Sequence, residues 1–126
     1  MKSSVKYLAI GLVFFATAIY AGGWKELTGA ELDAAFADKT FLHRNFVLYY
    51  DGNGGLSGSW GGENYNGKYY FRDNLYCAVW DDWADGKTEG CWTVEQKKNK
   101  VKTKPASGRA SKKYTMKVKD GNTKGL

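Results

Sequence analysis

Two cysteines, Cys77 and Cys91, are the only ones in this 126-residue chain, and each sits in a short run rich in aromatic and β-branched residues. Residues 75–94, LYCAVWDDWADGKTEGCWTV, therefore read as a β-hairpin closed by its own disulfide. Placing the cysteines directly opposite fixes the register. Tyr76 then faces Trp92 and Asp81 faces Lys87, an aromatic and an opposite-charge pair, each favourable by ~0.2–1 kcal/mol. Alternation puts Tyr76, Ala78, Trp80, Trp92 and Val94 on one side, the expected core face. A crosslink closing a loop of about 15 residues adds around 3 kcal/mol on the chain-entropy model.

Such a disulfide needs an oxidising compartment, and the N-terminus agrees with one. A basic start (Lys2, Lys6) precedes the apolar run at residues 7–19, and Ala16-Thr17-Ala18 and Ala21 supply small-residue cleavage sites. These are the parts of a secretory signal peptide at residues 1–21, too short to serve as a membrane span. The expected mature unit is one β-barrel-like domain, residues 22–126, in the periplasm or secreted, with no transmembrane segment after processing. About 105 residues suit a single modest core.

Along that unit, Thr28 and Glu31 have the spacing of a capping box, and Leu27 and Leu32 that of a hydrophobic staple. Leu32, Ala35 and Phe36 form one apolar stripe, so a short helix of roughly ten residues is expected to dock as a plug or lid. From Lys39 onward the period becomes two. Strands are expected around Phe46–Tyr50, Leu56–Trp60 and residues 68–72, divided by Gly/Asn/Asp turns. Val101 with Thr103, and Tyr114 with Met116 and Val118, alternate with lysines in two further strands. Residues 105–112 are expected as the loop between them, and residues 120–126 as a fraying end. The fold class is mainly β: a single antiparallel barrel or meander of about eight strands with one N-terminal helix.

Charge is divided along the chain. Residues 22–96 hold six Lys/Arg against twelve Asp/Glu, a net of −6; residues 97–126 hold eleven against one, a net of +10. The lysine face between Lys97 and Lys119 offers an anionic surface contact, with a simple solvated face as the plainer account. Nucleic acid is not expected as a partner of an exported chain.

No catalytic set, metal site or cofactor emerges. A calcium loop starting at Asp81 would place Trp83 and Trp92 where acidic ligands are required. Asp81 and Asp82, adjacent on a strand end, point to opposite faces and do not converge as glycosidase acids would. The lone His43 has no partner at ligand spacing and reads as structural. Two candidate sites remain. Asp82, Trp83 and Asp85 form a candidate contact loop, weighed against a solvated turn with Trp83 folded back on the barrel. Trp60, Tyr65 and Tyr70 are candidate barrel-mouth aromatics for a small apolar or sugar ligand, weighed against packing into the core.

The signal peptide, the L-[ST]-x-x-E-L helix start at residues 27–32, the glycine-rich hairpin at residues 51–60, Cys77-Ala78-Val79-Trp80 and Cys91-Trp92 together resemble a family of small exported bacterial domains of unknown function. The resemblance implies a lipocalin-like barrel and transfers no catalytic residue. The function expected is a non-enzymatic binding module for a small ligand or envelope component. The alternative is a proteinaceous inhibitor of an envelope or foreign hydrolase, presenting the loop at residues 82–86 to an envelope protein.

Overall fold

The computed structural model describes residues 23–83 and 88–126. The signal-peptide reading and residues Asp85 and Lys87 lie outside these, so the Asp81–Lys87 pair is not described. The elements in order are β1 (Lys25–Glu26), α1 (Ala30–Phe36), β2 (Lys39–His43), β3 (Phe46–Tyr50), β4 (Gly55–Trp60), β5 (Glu63–Arg72), β6 (Leu75–Trp80), β7 (Gly90–Lys97), β8 (Lys100–Gly108) and β9 (Tyr114–Asp120). Strands β2 to β9 pair antiparallel in sequence order, and β9 returns to pair with β2, closing an eight-stranded barrel. Closure removes the exposed edges that an open sheet this size would carry. β1 is a short addition beside β7, pairing Lys25 with Gln96 and Glu26 with Glu95.

The disulfide hairpin has the register derived from its cysteines: Tyr76 opposite Trp92, Cys77 opposite Cys91, Ala78 opposite Gly90. Cys77 and Cys91 stand at disulfide distance, with their Cα atoms 4.1 Å apart. Tyr76, Ala78, Trp80, Trp92 and Val94 are all buried. Alternation also holds along β3, where Phe46, Leu48 and Tyr50 are buried, and along β9, where Met116 is buried between exposed Thr115 and Lys117. Gly58 has a packing reason. A Cβ there would stand 3.0 Å from both Leu48 Cδ2 and the Trp80 ring, so glycine makes room for the indole.

The helix is shorter than expected, seven residues rather than ten, because Ala37 turns to extended backbone and Asp38 takes a left-handed φ of 58° that leads into β2. Half of the capping box forms: the Glu31 carboxylate accepts the Thr28 N–H at 3.1 Å, while no side chain caps the helix from Thr28. Glu31 also pairs with Lys25, which holds its carboxyl below the usual range. Leu32, Ala35 and Phe36 are the buried stripe. Phe36 enters one end of the barrel, its ring 4.8 Å from those of Phe41, Tyr50 and Tyr76. That end also carries the β3–β4, β5–β6 and β7–β8 turns, and Phe36 fills it, fully buried.

Three boundaries differ from expectation. β5 begins at Glu63, since Gly61 and Gly62 with positive φ make the turn unaided. β8 runs on through Pro105 to Gly108 where a loop was expected. Proline is accommodated because β8 pairs with β9 only through Thr103, so its missing N–H leaves no bond unmade on that side, and a register shift at Cys91/Trp92 absorbs the irregularity. The C-terminal residues are tied back instead of fraying. Thr40 Oγ1 donates to the Gly121 carbonyl at 2.5 Å and accepts the Thr123 N–H at 3.1 Å.

Candidate functional site

The barrel's other end carries the β2–β3, β4–β5, β6–β7 and β8–β9 connections, and it opens into a cavity of about 390 Å³. This lies within the range of small-molecule sites, ~300–1,000 Å³. The wall follows from alternation. Inward positions near the open end are filled by Phe46, Trp60, Tyr65, Trp80, Trp92 and Tyr114, a dense run of aromatic residues. Their rings meet at angles: Trp60 is edge-on to Trp80 at 5.7 Å, and Tyr114 is edge-on to Phe46 at 5.1 Å. Two loops frame the mouth. From β6–β7 comes Trp83, half-buried, with Asp82 beside it; from β8–β9 come Arg109, Ser111 and Lys112.

The two loops touch. Arg109 lies over the Trp83 ring at 4.7 Å, a cation–π contact. The Trp92 indole N–H donates to the Lys112 carbonyl at 3.3 Å, anchoring the second loop to the barrel wall. Gly90 allows that loop in, because a Cβ there would stand 2.8 Å from the Ala110 nitrogen.

The deep end of the cavity is closed by a pair of buried phenols. Tyr50 and Tyr76 hydroxyls lie 2.9 Å apart, and burial pushes both pKa values well above the usual phenol range. Thr103, also buried, lines the same cavity from β8.

Of the residues singled out from sequence, Trp60, Tyr65, Asp82 and Trp83 all line this cavity, so the two candidate sites merge into one. Tyr70 does not join them. β5 is one continuous strand, so Tyr65 and Tyr70, five positions apart, face opposite ways, and Tyr70 stands on the outer surface. There its hydroxyl donates to Glu89, which also pairs with Arg72. The Arg72 guanidinium, then the Tyr70 hydroxyl, hold the Glu89 carboxyl down to about 2. This cluster lies against the outward-facing disulfide, with Arg72 Nη2 3.8 Å from Cys91 Sγ. Cys77, Cys91 and Glu89 are close enough to suggest a metal site, but the paired sulfurs offer no thiolate. His43 packs flat on Phe46 at 4.4 Å, and its Nδ1 accepts the Asn45 N–H at 3.1 Å.

Sequence reasoning missed Arg109, Ser111 and Lys112, which belong to a loop whose path no local pattern reveals. Thr103 was detectable: it is a polar residue on the inward parity of a strand. The lysine face is partly neutralised, because Glu95 takes both Lys102 at 3.9 Å and Lys104 at 3.5 Å. Lys100 and Lys117 remain directly opposite each other on β8 and β9. Among the described residues no helix is long and apolar enough to cross a membrane. No family model, curated protein or solved structure matches this chain.

Proposed function

We propose that this protein is a non-enzymatic binding module of the periplasm or cell exterior, holding a small, largely apolar ligand inside its barrel. The observation that carries the proposal is the aromatic cavity of about 390 Å³, open at one end and plugged by Phe36 at the other. A chain that needed its aromatic residues only for stability would close the interior, since empty space forfeits dispersion contacts. The disulfide is compatible with an oxidising compartment and supports export as part of the same proposal. The inhibitor alternative calls for a filled core and a Trp83 projecting from the surface. Trp83 is instead half-buried and held by Arg109. Isolation of the protein from its native envelope fraction, followed by native mass spectrometry, tests the proposal. A bound small molecule at one per chain is expected; recovery of a stoichiometric hydrolase in its place overturns the proposal in favour of the inhibitor.

A further inference from the structure

The deep wall of the cavity holds hydroxyl groups that no described residue fully satisfies. Tyr50 and Tyr76, 1% and 5% exposed, share one hydrogen bond of 2.9 Å. Each phenol carries one proton and only one is spent within the pair, so the other lacks an acceptor among the described residues. Thr103, 2% exposed, lines the same cavity, and its hydroxyl has no side-chain hydrogen bond with any described residue. Buried polar groups in native proteins are nearly always paired, because an unsatisfied one loses its hydration without return. Around them the wall is apolar, with Leu48, Phe46 and Met116.

We infer that the cavity selects a neutral ring compound bearing a hydrogen-bond-accepting oxygen at its buried end, an aromatic or conjugated ketone being the simplest case. The inference rests on the ligand-binding proposal above and narrows it. A carboxylate or phosphate would enter the deep end without a cation, since Arg109 and Lys112 stand at the mouth. A sugar carries a hydroxyl on most ring carbons, and these walls would leave the greater part unpaired. Burial keeps both phenols protonated, hence donors, throughout the physiological pH range.

The test uses two probes of one shape, 2-acetylnaphthalene and 2-ethylnaphthalene, with binding to the full mature chain read by tryptophan fluorescence. In the variant Tyr50→Phe/Tyr76→Phe, both partners of the hydrogen bond are replaced by groups of the same shape. It is expected to bind the ketone roughly tenfold more weakly and the hydrocarbon unchanged. Thr103→Val is expected to shift the ketone alone in the same direction, and it stands independently if the double variant loses its far-UV circular dichroism. Equal effects on both probes, or no effect on either, overturn the inference while the binding proposal stands. Failure of the unaltered protein to bind either probe also overturns the inference, while the binding proposal is decided by native mass spectrometry of the isolated protein.

Discussion

The two ends of the barrel are built from the same kind of residue and behave in opposite ways. At one end Phe36 is fully buried, and aromatic rings close around it at 4.8 Å. At the other, Trp60, Tyr65 and Trp83 surround open space. The difference lies in what covers them. One end receives a helix driven in by its own apolar stripe, whereas among the described residues the other end is bordered by the Trp83 and Arg109–Lys112 loops at its rim. Aromatic content alone does not leave a cavity; an aromatic wall that no described element fills does.

The largest expected effect breaks the end that Phe36 fills. Phe36→Ala removes a fully buried ring and is expected to cost about 3–5 kcal/mol, read by urea denaturation. Next comes the wall that joins the two ends. Replacing Cys77 and Cys91 together by alanine is expected to cost around 3 kcal/mol on the chain-entropy model for a 14-residue separation. A smaller loss is expected at the mouth. Trp83→Ala sacrifices partial burial and the Arg109 contact, about 1–2 kcal/mol. If it destabilises as much as Phe36→Ala, the ends do not differ in the way described. The smallest effect is a pH dependence. Glu89 is held down to about 2 from 4.5, so its contribution is complete above pH 4.5 and is lost as pH falls toward about 2. Glu89→Gln is therefore expected to flatten the stability profile in that window. The pair is largely solvent-facing, which keeps the amplitude low.

The hairpin register was legible because three local signals agreed: the cysteine pair, the Tyr76–Trp92 pairing and the inward parity of Trp80 and Val94. The helix was legible from its stripe, although its length was set by the strand that follows. Tyr70 misled because a turn was expected before Lys68; with β5 continuous from Glu63, parity sends it outward. Pro105 misled for a related reason. Proline argues against a strand until it is known that β9 has already parted from β8 at that point.

What the sequence by itself determined is therefore local and periodic: which residues share a face, where two strands lock together, and which segment serves as the plug. Whether the barrel interior is filled or hollow was decided only in three dimensions. That volume depends on all eight strands closing at once, on Gly58 yielding space to Trp80, and on where residues 109–112 cross the rim. No single strand carries that information, because a side chain pointing inward looks the same in sequence whether it meets a neighbour or a cavity.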